Sequence, residues 1–561
     1  MSTAPSNEGE TLNGSSHSLA RASNEKETVV DTKEKENAAE PTTTQENEAD
    51  YPHGLKLALL SLALCLSVFL VALDNTIIAT AIPKITDQFH SLDDVGWYGS
   101  AYLLATASVQ LLFGKFYTFL PIKSVYLTAI LLFEVGSAVC GGAPNSNALI
   151  IGRAIAGLGS AGIFTGALII VAHAVPLNQR PIYTGMIGGM YGIASVAGPL
   201  LGGTFTDKVT WRWCFLINLP LGLVTVIVMV FFFKMPKSAN HSPSTLTLRE
   251  RIIRFDPVGT LLFIPGIISL LLALQWGGSK YAWKSGRIIA LFVVFGVLIA
   301  GFVSVQIWQQ ENATVPPRIF KKRSIWAASW FSLCLGSSFF ILVFYLPIWF
   351  QAIKGVSAVR SGIDNLPMIL ALVVGSMLAG ILITQFGYYT PFMLLSSVLM
   401  AVGAGLLSTI KPDTPVARWI GYQIVFGLGV GTGMQGPLLA AQTALELLDI
   451  PIGTSMVMFV QTLGGALFIS VGQNVFQNKL ISGLVANVPG VSPLLVLSSG
   501  ATNLKNAVDP KYLADVLSVY NTALVTAFYV SIAMGGLSIF GSVLTEWKSV
   551  KGKNVEMGMA A

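Results

Sequence analysis

Three ionisable side chains stand in stretches of sequence that are otherwise apolar. Asp74 interrupts the run from Leu55 to Ile82, inside Leu73-Asp74-Asn75-Thr76-Ile77-Ile78, and Glu134 and Arg153 interrupt two later runs. A charge at the centre of a bilayer-spanning helix costs about 2.5–3.5 kcal/mol even on insertion scales, so such residues are kept where they face a protein interior or a watery path. Burial favours the neutral form of a carboxyl group, and a neighbouring guanidinium favours the charged form. A carboxyl held between those two influences can take up and release a proton. Asp74, Glu134 and Arg153 are therefore the candidates for proton coupling. The competing reading is a structural ion pair that locks helices together, in which Glu134 could equally be the partner of Arg153.

The elements that would carry these groups are membrane spans. Of the 561 residues, 53% are hydrophobic and 11% charged, with a mean hydropathy of +0.67. A soluble chain carries about 25% charge. A helical span needs about 20 apolar residues, and the sequence offers fourteen such runs. Span 1 falls near 55–81, span 2 near 97–117, span 4 near 148–173 and span 14 near 517–544. An even number places both termini on one side. Loop 6–7, with Lys234, Lys237, Arg249, Arg251 and Arg254, and loop 8–9, with Arg318, Lys321, Lys322 and Arg323, place that side in the cytoplasm. The sequons at Asn13, Asn240 and Asn312 then face the cytoplasm and no glycosylation is expected.

Residues 1–52 hold eleven Asp and Glu against four Lys and Arg and read as a disordered cytoplasmic tail. The expected layout continues with a six-helix half over 53–234, a loop and two inserted spans over 235–325, a second six-helix half over 326–545, and a cytoplasmic tail over 546–561. Cys65, Cys140, Cys214 and Cys334 have neither metal-ligand spacing nor a disulfide framework, although a Cys140–Cys214 bridge stays open. The sequence has no phosphate-binding Walker loop, no His/Cys metal cluster and no catalytic dyad. Composition and motifs point to a transporter that is neither an enzyme nor a nucleic-acid binder, with no cofactor and no metal.

An internal repeat supports that reading. Gly380-Ile381-Leu382-Ile383-Thr384-Gln385-Phe386-Gly387 before span 11 echoes Gly114-Lys115-Phe116-Tyr117-Thr118 before span 3, and Gly427-Leu428-Gly429-Val430-Gly431 in span 12 echoes Gly157-Leu158-Gly159 in span 4. The offset pairs spans 1–6 with spans 9–14 and leaves 7 and 8 over. Two such halves around a central site form a transporter architecture. In span 5, Gly198, Pro199, Gly202 and Gly203 permit close helix approach and a bend, as a hinge between halves requires. Tyr102, Gln110, Trp349, Phe350, Gln351, Gln435 and Gln461 are the candidates for an amphipathic substrate cavity, each competing with a role as interhelical glue. Trp211 and Trp213 read as interfacial anchors.

These motifs resemble the fourteen-span drug:proton antiporter family of the major facilitator superfamily. The span-1 signature appears as Leu73-Asp74-Asn75-Thr76-Ile77-Ile78-Ala79-Thr80-Ala81-Ile82-Pro83-Lys84-Ile85, the span-4 signature at Arg153, Gly157 and Gly159, and the antiporter signature at Gly198, Pro199, Gly202 and Gly203. The charged loop 2–3 motif of the superfamily is missing, because Thr118-Phe119 and Pro121-Ile122-Lys123 occupy its place. The stretch Trp211-Arg212-Trp213 and its like are similar to fungal exporters of toxins and secondary metabolites. The resemblance implies an all-α major facilitator fold of 14 spans with two inserted helices. It also implies a plasma-membrane efflux pump, driven by the proton gradient, that takes bulky, mostly apolar small molecules. The expected partners are that substrate, protons and lipid, and the chain is taken as a monomer. A siderophore carrier, a vacuolar amino-acid carrier and a non-transporting sensor are the rival readings.

Overall fold

The computed structural model of the chain describes residues 52–89, 94–233, 253–278, 280–493, 495–497, 504 and 508–551. The expected N-terminal tail up to residue 51, the basic residues Lys234, Lys237, Arg249 and Arg251, the sequons at Asn13 and Asn240, and residues 552–561 lie outside them.

The described residues are all-helical apart from two isolated bridges, Gly277 with Tyr281 and Tyr388 with Ser549. The helices are α1 (Leu55–Phe89), α2 (Val95–Phe119), α3 (Ile122–Gly141), α4 (Ser146–Ala174), α5 (Arg180–Lys208), α6 (Trp213–Leu216) and α7 (Asn218–Phe232). Then come α8 (Pro257–Trp276), α9 (Gly286–Gln309), α10 (Pro317–Phe320), α11 (Arg323–Trp349) and α12 (Ala358–Asp364). The chain closes with α13 (Leu366–Phe386), α14 (Thr390–Leu407), α15 (Val416–Gly433), α16 (Gly436–Ala444), α17 (Ile450–Asn487) and α18 (Pro510–Leu544).

Thirteen helical stretches among the described residues are long and apolar enough to cross a bilayer. The run expected as span 2 forms α2, whose 25 residues are not among them. Its Ser100, Thr106, Ser108, Gln110 and Lys115 dilute its hydropathy. Span 6 is split at Ile217, between α6 and α7, three residues before Pro220, and span 12 is split at Met434–Gln435 ahead of Pro437. Proline removes a backbone donor and is accommodated best in the first turn of a helix, which suits a restart just before it. Local signals set the ends elsewhere. Asn145 caps α4 by accepting from Ala148 N at 2.9 Å, and Gly387, at φ +89°, ends α13 in the left-handed conformation that glycine adopts without strain.

Two groups of helices pack internally. In the first, α1 lies along α5, and α4 lies between α2 and α3; in the second, α11 packs on α17 and α18, and α15 lies between α13 and α14. Small residues let the backbones approach. A Cβ on Gly202 would lie 2.7 Å from Ile77 O, and one on Gly429 would lie 2.6 Å from Met400 N. The groups meet along two seams, α2 with α17 and α5 with α13.

The repeat read in the sequence reappears in these seams. A Cβ on Gly114 of α2 would stand 3.2 Å from Pro451 O in the first turn of α17, and one on Gly380 of α13 would stand 2.7 Å from Pro181 O in the first turn of α5. Equivalent glycines thus meet equivalent prolines. Both contacts lie at one end of the bundle, here termed the near face. The Thr76-to-Ala194 and Thr80-to-Gly202 contacts make α1 parallel to α5, so α1 also begins there.

The helices α8 and α9 pack on each other, and α8 docks on α2 and α17. Gln275 Nε2 donates to Ser100 Oγ at 2.6 Å, Trp283 Nε1 donates to Asn474 Oδ1 at 2.6 Å, and the Phe263 and Phe459 rings are 5.1 Å apart. All four cysteines are buried and free, so Cys140 and Cys214 are not bridged.

Candidate functional site

Asp74 and Arg153 meet. Both are fully buried, and Arg153 Nη1 pairs with Asp74 Oδ2. α1 supplies the carboxylate and α4 the guanidinium, which also donates from Nε to Tyr98 O at 2.8 Å and from Nη1 to Asp74 O at 3.3 Å. The guanidinium lies 4.4 Å above the Tyr102 ring, a cation–π contact strengthened by the burial of both side chains. Arg153 Nη2 has no hydrogen-bond partner among the described residues.

The second oxygen of Asp74 is held by Asn218, the first residue of α7. Its Nδ2 donates to Asp74 Oδ1 at 3.2 Å and to Ser137 Oγ at 3.0 Å. Asn218 and Ser137 are both fully buried. The carboxylate is therefore gripped from opposite sides, by a cation through one oxygen and by an amide through the other. Neither Asn218 nor Ser137 was among the candidates from sequence. The sequence signal for the first is an amide within the otherwise apolar Leu216-Ile217-Asn218-Leu219-Pro220.

Glu134 does not pair with Arg153. Its carboxyl packs against Gly222 of α7, where any side chain would overlap it, and neither of its oxygens has a hydrogen-bond partner among the described residues. It stands three residues before Ser137 on α3, as Gly222 stands four after Asn218 on α7. Such spacings share a helix face. Glu134 thus lies one turn along the same α3–α7 contact that holds Asn218.

The span-5 residues border this centre. Gly198 accommodates Thr76, two residues after Asp74, and Thr76 Oγ1 donates to Ala194 O at 3.1 Å. Gly202 accommodates Thr80 and Ile77. On an adjacent face of α5, a Cβ on Gly203 would be 3.6 Å from Val359 Cγ2, and one on Gly362 would be 3.5 Å from Pro199 Cβ, both across to α12. Gly198, Pro199, Gly202 and Gly203 therefore lie between the helix that bears Asp74 and the second group of helices.

The structure does not bring the seven cavity candidates together. Tyr102 donates to Val71 O at 3.2 Å beneath Arg153, and Gln110 donates to Thr165 Oγ1 on α4. Trp349 donates to Asn521 Oδ1 at 2.6 Å, and Phe350 stands edge-on to Trp349 and Trp419. Gln351 reaches Ser361 Oγ at 3.4 Å, while Gln435, in the break between α15 and α16, donates to Ser376 O of α13 at 2.6 Å. Gln461 is half-buried on α17, where its backbone carbonyl faces Gly336 of α11. Six of the seven thus use their side chains in contacts between or within helices. The half-buried Asn75 and Tyr191, which meet at 3.4 Å across α1 and α5 one residue from Asp74, were not anticipated.

A carboxylate that takes up a proton loses its charge, and a guanidinium buried against it then loses its counter-charge. Breaking a buried pair from one side leaves an uncompensated charge, at a cost of about 3–5 kcal/mol.

Comparison with known proteins decides the family. Residues 64–469 match the Major Facilitator Superfamily. The chain belongs to that superfamily. It is 61% identical over 507 residues, 90% of its length and 94% of the relative's, to the MFS-type efflux pump MFS1 of Arthroderma benhamiae. It is 53% identical over 528 residues to the MFS-type transporter astH of Aspergillus oryzae, covering 93% of each chain. It is 56% identical over 492 residues to the efflux pump roqT of Penicillium rubens, covering 88% of this chain and 91% of the other. Among solved structures, the proton:xylose symporter XylE matches with a TM-score of 0.55 at 13% identity, over 86% of this chain and 94% of that one. The human organic anion transporter MFSD10 matches with a TM-score of 0.55 at 13% identity, over 86% of this chain and 100% of that one. These two carry the fold alone. A major facilitator chain is a membrane transporter and not an enzyme.

Proposed function

We propose that this chain exports bulky, mostly apolar small molecules, such as fungal toxins, secondary metabolites or antifungal drugs, in exchange for protons. Asp74 binds the proton and Arg153 responds to its arrival. The one observation that carries the coupling is the fully buried Asp74–Arg153 pair at the contact of α1 and α4. The names of the related proteins support export as the direction. Protonation discharges Asp74, Arg153 loses its counter-charge, and α1 is freed to shift against α5, on which it is packed through Thr76 and Gly198. Glu134, one turn along α3, serves as a second proton carrier. The span-5 glycines permit the halves to rock. No cofactor is needed, because the proton gradient supplies the drive.

The same reading counts α2 as a span, because it packs between α4 and α17 and its polar side chains bond inward. That gives 14 spans, with α8 and α9 inserted between the halves, and sets the near face and both termini in the cytoplasm. The membrane is the plasma membrane and the transporter works as a monomer.

The test is export by the purified protein in vesicles with an imposed pH gradient, for the wild type and Asp74→Asn. The variant should insert and bind substrate yet lose gradient-driven transport. Undiminished transport by Asp74→Asn would end the proposal. A panel of toxins and antifungals scored for retention in cells with and without the protein would then narrow the substrate.

A further inference from the structure

We infer that the polypeptide joining α9 to α11 is a clasp that holds the near-face seam between α2 and α17 shut, with Arg318 and Asp449 as its releasable bond.

The fixed part of the clasp is a knot around Asp256. This residue is fully buried at φ +48°, a left-handed conformation uncommon outside glycine that Asp tolerates better than most residues. Its carboxylate accepts five hydrogen bonds. Oδ1 receives Gly259 N at 2.7 Å and Gln309 Nε2 at 2.9 Å, and Oδ2 receives Gln306 Nε2 at 2.7 Å, Thr314 N at 2.9 Å and Thr314 Oγ1 at 2.8 Å. The start of α8, the end of α9 and the linker beyond it are thereby one body. A carboxylate so fully satisfied rigidifies what it joins.

The knot is tied to the first group of helices by Lys115. Its buried ammonium, near the end of α2, donates to Arg254 O at 3.3 Å and Asn312 O at 3.1 Å. The short α2–α3 connection, Leu120-Pro121, carries no charge that could do this. The knot is tied to the second group by Arg318 on α10. Arg318 Nη1 meets Asp449 Oδ2 at 2.7 Å and Nη2 meets Asp449 Oδ1 at 3.1 Å, a bidentate fork, while Nε rests 3.2 Å from Glu311 Oε1.

The two ties converge on the seam. Lys115 follows Gly114, and Asp449 stands two residues before Pro451, the carbonyl that Gly114 meets. The clasp therefore spans the contact that must part if the near face is to open. The Lys115 and Asp256 bonds are buried, whereas the Arg318 side chain is 44% exposed. Asp449 is only 12% exposed, but water reaches the arginine end of this pair, so this link is the one that releases. The inserted pair α8–α9 thus has a duty: it carries a charged latch into a seam whose own loop lacks one. The inference rests on the rocking of halves proposed above and not on the proton reading.

Charge reversal tests it. Ser455→Cys puts a thiol in the seam beside Gly114, and its labelling by a membrane-permeant maleimide, above the background of the four buried native cysteines, reports opening. In that background, Arg318→Glu or Asp449→Arg should raise labelling and lower export by about fivefold each, the scale of an exposed ion pair acting on a two-state equilibrium. The double reversal should return both readouts to near the parent values, as a direct pair requires in a double-mutant cycle. If a reversal fails to reach the membrane, Arg318→Gln and Asp449→Asn supply the labelling readout instead. Unchanged labelling in the single variants, or a double variant no better than the worse single one, overturns the clasp. Export that ignores the pH gradient in the parent protein would overturn the proton reading and leave the labelling result intact.

Discussion

Asn218 holds Asp74 by donating to Oδ1 at 3.2 Å, opposite the oxygen that Arg153 occupies. A hydrogen bond to a charged group contributes about 1.5–3 kcal/mol, so replacing Asn218 with the similarly sized, apolar leucine should weaken the grip on the ionised carboxylate by about that much. The expected outcome of Asn218→Leu is a drop of at least about tenfold in gradient-driven export, with substrate binding in the absence of a gradient retained. Ser137→Ala, which removes only the hydroxyl that orients the amide, should fall in between. Transport assays in vesicles alongside equilibrium binding in detergent separate the two effects.

The buried pair makes an asymmetric prediction about stability. Arg153→Leu leaves Asp74 uncompensated in the interior, a loss of about 3–5 kcal/mol. Combining it with Asp74→Asn removes the stranded charge. Thermal midpoints of the detergent-purified variants should therefore rank wild type first, then the double variant, then Arg153→Leu. A double variant less stable than Arg153→Leu would mean that the pair is not the relevant electrostatic unit.

Adjacent glycines in α5 should behave differently. A methyl group on Gly202 would meet the Ile77 carbonyl at 2.7 Å, whereas one on Gly203 has its nearest neighbour at 3.6 Å. Gly202→Ala should cost about 1–3 kcal/mol by overpacking and slow export, while Gly203→Ala should leave the thermal midpoint close to wild type. Parallel measurement of thermal midpoint and transport rate checks the contrast.

The end of α18 should respond to acid. Glu546 is held below the ordinary carboxylate range, first by the side chain of Lys548 and then by Ser324 Oγ, which donates at 2.8 Å. A carboxyl with a depressed folded value stabilises the fold above its unfolded value, and that contribution disappears as the pH falls through its folded value. Because about a third of the Glu546 side chain is open to solvent, the effect is small. Glu546→Gln should lower the thermal midpoint slightly at pH 7, and the difference from wild type should vanish once both proteins are acidified below the carboxylate range.

The parts of the fold and site that were legible in the sequence share a physical cause. Asp74 and Arg153 are visible because charge in an apolar run is costly and therefore conspicuous. Gly114 and Gly380 are visible because a close approach admits only the smallest residue, and the same need recurs in each half. Other parts leave no such mark. Asn218 is an uncharged amide in an apolar run, and sequence gives no means of telling a residue that holds a carboxylate from one that holds two helices together. Lys115 finds its acceptors at Arg254 and Asn312, backbone carbonyls far along the chain that carry no side-chain signature. The cavity candidates were chosen for polarity and aromaticity, yet polar groups in a bilayer must first satisfy one another. Trp349 with Asn521, and Gln435 with Ser376, show that demand being met within the packing. Glu134 is the converse case: its depth was readable, but its lack of a partner depends on Gly222, a residue that registers only as an absence of side chain.

The two seams are built alike but are not clothed alike. α8 and α9 lie over the one between α2 and α17, whereas the one between α5 and α13 turns Met186, Ile193, Val374 and Leu378 outward, all more than a third exposed. The molecule thus has a sheltered flank and a bare one. Any swing between the halves has to carry two additional helices on one flank and only displace lipid on the other, so the repeat confers matching contacts without conferring matching resistance. Rocking of the kind proposed is therefore resisted unequally at the two seams.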